Sequence, residues 1–288
     1  MTWLKQGGWF RKMGIYFNGK VFLILGASGG IGEELCLQLA EDGATLLLAG
    51  RNQEKLEKLW QRIGSKAKIL LLDLTSLSSV KKAINEAFSI FPEINYVIHT
   101  AGYFTPYRFN DIPYEEKKQA YLTNIYGPLL VSEEVLNHWR GTQYFKSIVF
   151  ISSIAGVDAL PKQREVYAFS KRMAIELFRK YYSLFGDTVN FSCFCPGPTE
   201  TTMWKEVCTK ISAYENISLP EVCQRYEAAG GLILTVKETV DHLLTLLSGE
   251  NNGILYAPLL NIREKQPKKD TFEELDHTIL LIERDFSS

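Results

Sequence analysis

Apolar residues in this chain come in short unbroken runs, each followed by a stretch of helical spacing. Residues 21–25 carry no polar side chain and run into Gly26. A run of that length without alternation predicts a strand buried on both faces of a parallel sheet. Similar runs predict strands over 44–49, 68–72, 96–100, 147–152, 189–195 and 253–257. Apolar positions three and four apart predict helices over 31–41, 54–63, 76–91, 114–140, 166–185 and 241–247, with Ser76 as a cap. Residues 271–284 read as a terminal helix or interface segment. This alternation predicts an α/β fold: a doubly wound parallel sheet of about seven strands, helices on both faces, in a single domain. Right-handed crossovers then place ligands at the carboxyl ends of the strands. Residues 200–231 interrupt the alternation and predict a substrate lid.

Composition narrows the class. Of 288 residues, 46% are hydrophobic and 23% charged, which supports a sizeable core and excludes global disorder. A net charge of −1 argues against a nucleic-acid partner. Cys36, Cys193, Cys195, Cys208 and Cys223 form no metal-ligand cluster, and their odd number suits reduced thiols in a cytoplasmic compartment. Cys193 and Cys195 share one face of a strand, which predicts packing. His99, His138, His242 and His277 are scattered, so no metal site is expected, and His99 reads as a strand-end packing residue. No apolar run approaches the ~20 residues of a membrane span. Residues 1–18 mix Trp3, Leu4, Trp9, Phe10 and Ile15 with Lys5, Arg11 and Lys12, without the continuous apolar stretch of a signal peptide. They read as an extension packed on the domain, with a peripheral membrane or oligomer contact as the alternative.

The first predicted strand leads into Gly26-Ala27-Ser28-Gly29-Gly30-Ile31-Gly32 and then a helix. Glycines there permit a tight turn and close backbone approach to a pyrophosphate, at which the helix aims its positive end. Further along, Tyr167 and Lys171 stand four apart, on one helix face. A tyrosine titrates near ~10, and a nearby ammonium is expected to lower that by ~1–3 units, making a proton donor for a carbonyl. Alone the pair proves little; its company upstream gives it weight.

With these residues assembled, the chain resembles the short-chain dehydrogenase/reductase family, in its short single-domain branch. Gly26, Gly30 and Gly32 match the family's cofactor turn, with Leu25 where threonine is usual. Asp73 matches the acidic residue on the adenine side. His99-Thr100-Ala101-Gly102 matches the Asn-Asn-Ala-Gly turn, keeping Ala101 and Gly102 and replacing both asparagines. Asn124, Ser153, Tyr167 and Lys171 match the active-site tetrad. The gap from Ser153 to Tyr167 is one residue longer than usual, so Ser152 stays open as the active hydroxyl. Pro196, Gly197, Thr199 and Thr201 match the segment that holds the nicotinamide carboxamide. The resemblance is close from Lys20 to Met203, loose over 241–257, and lapses at both ends.

The resemblance implies a Rossmann-like dinucleotide-binding catalytic domain over 20–260, an N-terminal extension at 1–19 and a C-terminal extension at 261–288. It implies hydride transfer between a nicotinamide and a carbonyl or alcohol. Tyr167 would be the general acid/base, Ser153 the group orienting the oxygen, and Lys171 the residue tuning Tyr167 and binding the ribose. Asn124 would help hold a water near Lys171. Cofactor-binding residues would be Gly26, Ser28, Gly30, Ile31, Gly32, Arg51, Asp73, Ala101, Gly102, Tyr167, Lys171, Pro196, Gly197, Thr199 and Thr201. No acidic residue ends the second strand, and Arg51 suits a 2′-phosphate, so NADP(H) is favoured over NAD(H). The alternative for Arg51 is a solvated charge beside Glu54 or Glu57. Met203, Trp204, Val207, Ile211, Tyr214, Ile217, Leu219, Val222 and Tyr226 make an apolar lid, suited to a hydrophobic substrate or simply to packing. The family implies a homodimer or homotetramer. The competing expectation is a dinucleotide-binding scaffold or redox sensor without turnover.

Overall fold

The computed structural model describes residues 16–157, 164–228, 232–260 and 262–266. Its sheet has eight strands: β1 Val21–Leu25, β2 Thr45–Gly50, β3 Ala67–Leu71, β4 Tyr96–His99, β5 Ser147–Ile151, β6 Asn190–Phe194, β7 Ile254–Ala257 and β8 Ile262–Lys265. They lie in the order β3-β2-β1-β4-β5-β6-β7-β8. The first seven pair in parallel, and β8 runs antiparallel to β7. β8 is an addition to the expected sheet and lies in the stretch read as the C-terminal extension. The reversal of strand order between β1 and β4 opens a crevice at their carboxyl ends.

Helices α1 Gly30–Glu41, α2 Gln53–Ile63 and α3 Leu77–Ile90 follow the first three strands. The expected long helix over 114–140 is broken into α4 Tyr114–Tyr121, a π-helical turn Leu122–Tyr126, and α5 Gly127–Trp139. Apolar spacing reads alike for α and π turns, which is why the sequence shows one helix there. The short α6 Ile154–Val157 follows β5, and α7 Glu165–Phe185 leads to β6. The stretch expected to be a lid contains α8 Thr202–Glu215 and α9 Leu219–Ala228, and α10 Val236–Ser248 precedes β7. The expected helix over 271–284 and most of the N-terminal stretch fall outside the described residues. Within that stretch Phe17 is buried, edge-on to Phe22 with ring centroids 5.4 Å apart. Ser76 caps α3 as expected, accepting from the Ser79 amide.

Each face of the sheet carries its own core. Leu35, Leu39, Leu56, Val240 and Leu243 bring α1, α2 and α10 onto one face. Val80, Ile84, Val135, Ile175 and Phe178 bring α3, α5 and α7 onto the other. Burial on both faces is why β1, β4 and β5 read as unbroken apolar runs. A third, smaller cluster of Phe104, Val207, Cys208, Ile211 and Val222 lies away from the sheet and supports the lid helices. Cys193 and Cys195 sit buried with their Sγ atoms 3.9 Å apart, as packing residues.

Candidate active site

The glycine-rich turn closes against the end of β4. Gly26 has φ +83°, in the left-handed region, and a Cβ there would lie 2.6 Å from the Ala101 amide nitrogen. A Cβ on Gly32 would lie 2.3 Å from the Gly26 carbonyl oxygen, so α1 can pack this close to the turn only with glycine. The Ala101 amide donates to the Leu25 carbonyl at 2.9 Å. The two departures in the β4 turn have visible roles. Thr100 Oγ1 donates to the Leu25 carbonyl at 2.7 Å, and the buried His99 ring stacks on Phe150 at 5.1 Å. Burial drives the His99 pKa down to about 3, so the ring is neutral and structural.

The amino end of α1 is open. Gly29 caps it without a side chain, and Gly29 and Gly30 are solvent-exposed. Backbone N–H groups of the first turn are therefore free to receive an anion such as a pyrophosphate. Ser28 Oγ lies beside Gly50, one residue before the exposed Arg51. Asp73 ends the third strand region half-buried, with Oδ1 accepting from the Thr75 amide and hydroxyl at 2.9 and 2.8 Å. This set fits a dinucleotide: a backbone cradle, a helix amino end and polar groups along one line of strand ends.

Across the crevice, Tyr167 and Lys171 project from α7 toward the end of β5. Ser153 hydrogen-bonds the Tyr167 hydroxyl. Ser152 is buried and donates to the Lys171 carbonyl at 2.6 Å. Both serines line the cavity, but the Ser152 hydroxyl is engaged by the helix backbone. Ser153 is the serine whose hydroxyl acts on Tyr167. Lys171 Nζ donates to the Ile151 carbonyl at 3.1 Å and lies 5.9 Å from the centre of the Tyr167 ring. A Cβ on Gly102 would stand 3.3 Å from Lys171 Nζ, so the glycine turn and the lysine meet at this point.

The expected lowering of the Tyr167 pKa by Lys171 is not what the protein alone displays. Burial raises the Tyr167 pKa, and the Ser153 hydrogen bond and the Arg164 charge only partly oppose it. Burial also lowers Lys171 to about 8. The lysine charge is weakened by its own desolvation and directed at the Ile151 carbonyl, which removes the anticipated effect.

Asn124 sits in the π turn, where a wider turn is a frequent mark of a functional position. Its Nδ2 donates to the Tyr103 carbonyl at 2.8 Å and Ser170 Oγ at 2.9 Å, and its Oδ1 accepts from the Tyr103 amide at 2.8 Å. Its amide clamps the β4 loop to α7, and both N–H groups are taken. Ser170 was missing from the sequence reading, although it directly precedes Lys171. It also donates to the Tyr167 carbonyl at 2.8 Å, linking three of the site residues.

Ser152, Ser153, Tyr167 and Lys171 line a cavity of about 310 Å³. Ile31, Thr100, Gly102, Pro196, Gly197, Thr199 and Thr201 line it near the glycine turn, and Phe104, Met203, Trp204, Val207 and Tyr226 at the lid. Thr199 and Thr201 use their hydroxyls locally. Thr199 Oγ1 pairs with Thr239 at 2.9 Å, and Thr201 Oγ1 caps α8 by accepting from the Trp204 amide at 3.1 Å. The lid is strapped to the β4 loop by Lys210 Nζ, which donates to the Phe104 carbonyl at 3.2 Å. Phe104 and Arg164 are further lining residues that the sequence reading did not single out. Among the described residues no acidic, cysteine and histidine cluster could hold a metal ion, and no helix is long and apolar enough to cross a membrane.

Comparison with known proteins agrees with this arrangement. The family model described as short chain dehydrogenase matches residues 20–212. An uncharacterized oxidoreductase of Bacillus subtilis (strain 168) is 25% identical over 244 residues, covering 82% of this chain and 91% of that protein. An NAD+-bound xylitol dehydrogenase superposes with a TM-score of 0.76 at 25% identity, over 84% of this chain and 98% of its own. An actinorhodin polyketide ketoreductase with NADPH shares the fold, with a TM-score of 0.71 at 23% identity, over 80% and 90% of the two chains.

Proposed function

Since the chain belongs to the short chain dehydrogenase family and is an NAD(P)-dependent oxidoreductase of CH–OH and C=O groups, we propose that Tyr167 is its general acid/base and that it prefers NADPH and a hydrophobic carbonyl substrate. The observation that carries this reading is the Tyr167 hydroxyl. Ser153 stands beside it inside a cavity that Ile31 of the glycine turn also lines.

A bound nicotinamide would supply the hydride. The glycine turn and the amino end of α1 would hold the pyrophosphate, with Pro196 and Gly197 alongside the ring. Ser153 orients the substrate oxygen, and Tyr167 gives it a proton as negative charge develops there. Tyr167 is protonated at neutral pH and so can act as the acid in reduction, while the burial that raises its pKa must be offset by positive charge in the loaded site. In the oxidation direction the phenolate form of Tyr167 takes the proton, helped by nearby positive charge. Lys171, reaching Gly102 and Ile151, supports Tyr167 from behind.

The preference for NADPH rests on Arg51, exposed at the end of β2 where no carboxylate stands to repel a 2′-phosphate. The related structures carry either cofactor, so this preference is a property of the chain's own residues. Aromatic and aliphatic lining at the lid supports the hydrophobic substrate. Free thiols throughout the described residues suit a cytoplasmic enzyme, and family membership supports a dimer or tetramer.

The test is a fluorescence titration with NADPH and NADH, followed by turnover of a panel of ketones and aldehydes. Tyr167→Phe is expected to lose turnover by about 100-fold or more, the usual weight of a general acid, with NADPH affinity unchanged. Turnover that survives the substitution would remove Tyr167 from the mechanism. Cofactor binding without turnover on any carbonyl would favour the sensor.

A further inference from the structure

Arg164 has no place in the chemistry just described, yet it lines the same cavity three residues before Tyr167. It precedes α7 with φ 70° and ψ 30°, in the left-handed region. A non-glycine residue held there carries strain of ~1–3 kcal/mol, and such strain concentrates at functional sites. Its guanidinium lies 5.0 Å from the centre of the Tyr226 ring on α9, and Tyr226 meets Trp204 edge-on at 4.7 Å. The arginine is thus at the lid end of the cavity.

Among the described residues, no carboxylate forms an ion pair with Arg164. Glu215, whose charge reaches it, is bound by Arg225 at 2.7 Å. The Tyr226 hydroxyl is buried and has no hydrogen-bond partner among the described residues. Burial lowers the Arg164 pKa, as expected for a cation whose surroundings do not fully replace water. A guanidinium presents a planar fork of N–H groups, and stacking on Tyr226 leaves that edge free. Around Arg164 the lid end of the cavity is lined by the apolar and aromatic side chains of Phe104, Met203, Trp204 and Val207.

Resting on the oxidoreductase reading, we propose that Arg164 recognises an anion: the substrate is an apolar carbonyl or alcohol bearing a carboxylate, which Arg164 holds at the lid end while the reacting carbon lies at Tyr167. Such a contact combines attraction with orientation, because the fork fixes the plane of the carboxylate. The carboxylate also replaces part of the water that the half-buried cation has lost.

A matched pair of ligands tests this. 4-Acetylbenzoate and its neutral analogue 4-acetylbenzamide are titrated into the cofactor-free protein, with binding read from tryptophan fluorescence, since Trp204 lines the cavity. The benzoate is expected to bind at least about 10-fold more tightly, as for a charge-assisted hydrogen bond. Arg164→Leu should abolish the difference. Arg164→Gln, which keeps N–H donors without the charge, should abolish most of it, and Arg164→Lys should retain part. NADPH affinity checks that each variant is folded. Equal or undetectable binding of the two ligands by the unaltered protein overturns the proposal. So does a preference that survives in both the Leu and Gln variants, which would leave Arg164 as a cation–π support for the lid. Because binding is read without cofactor, failure to reduce either ketone would bear on turnover and leave the anion contact standing, and loss of the benzoate preference would leave the oxidoreductase reading standing.

Discussion

The two ends of the cavity are built from different materials. At the glycine turn the cavity meets Ile31 and Gly102, backed by main chain that the sheet fixes: Gly26, Gly32 and Ala101 approach so closely that a single Cβ does not fit. At the lid the wall is side chains from α8 and α9, resting on a cluster of Phe104, Val207, Cys208, Ile211 and Val222 apart from the two main cores. The first suits a cofactor of constant shape. The second is set by residue identity and can change without disturbing the sheet. Stability is concentrated under the first end, and selectivity is assigned to the second.

The sharpest break in that division is at the serines, where both ends meet. Ser153→Ala is expected to lower kcat by about 100-fold or more, as for loss of one oxyanion donor, while Ser152→Ala should keep kcat within a few-fold and cost about 1 kcal/mol of stability. Steady-state kinetics and urea melts on the two variants separate them, and a reversed result would show that the active hydroxyl is misassigned. Gly32→Ala probes the main-chain wall. Forced against the Gly26 carbonyl, it should cost about 1–3 kcal/mol and weaken NADPH binding with it. A variant of unchanged affinity would mean that the turn yields more easily than its geometry suggests. Arg51→Asp is expected to weaken NADPH by about 10-fold and leave NADH little changed, as measured by fluorescence titration. Parallel losses for both cofactors would end the preference. The mildest case is Val222→Ala in the lid cluster. It should raise KM a few-fold while costing about 1 kcal/mol, less than the about 2–5 kcal/mol of Leu47→Ala under the sheet. Equal losses of stability would show that lid and sheet unfold as one unit.

Legibility followed burial. β1, β4 and β5 are buried on both faces, so each appears in the sequence as an apolar run within a residue or two of its true ends. β8 is a half-exposed edge strand of Ile262-Arg263-Glu264-Lys265, and nothing in those residues marks it as a strand. The glycine turn and Tyr167 with Lys171 were legible because their spacing is itself the geometry. The choice between Ser152 and Ser153 was not, since it depends on which partner each hydroxyl engages. Arg164 was hidden for another reason. A lone arginine before a helix normally reads as a solvated charge, and only the fold brings α9 and Tyr226 over it. The tuning of Tyr167 was misjudged because sequence spacing reports proximity to Lys171 but not the desolvation of both partners.

The π turn at Leu122–Tyr126 makes chain length, and not only residue type, a requirement of the site. A π turn accommodates one residue more than an α-helix advancing the same distance. Removing one residue between 122 and 126 would let the helix close into regular α form and leave the packing of α5 against α3 in register. Asn124 would swing around the axis and release Tyr103 and Ser170. The shortened chain would be a well-folded protein with a disconnected active site, so an insertion or deletion of a single codon can act here as a switch between fold and function.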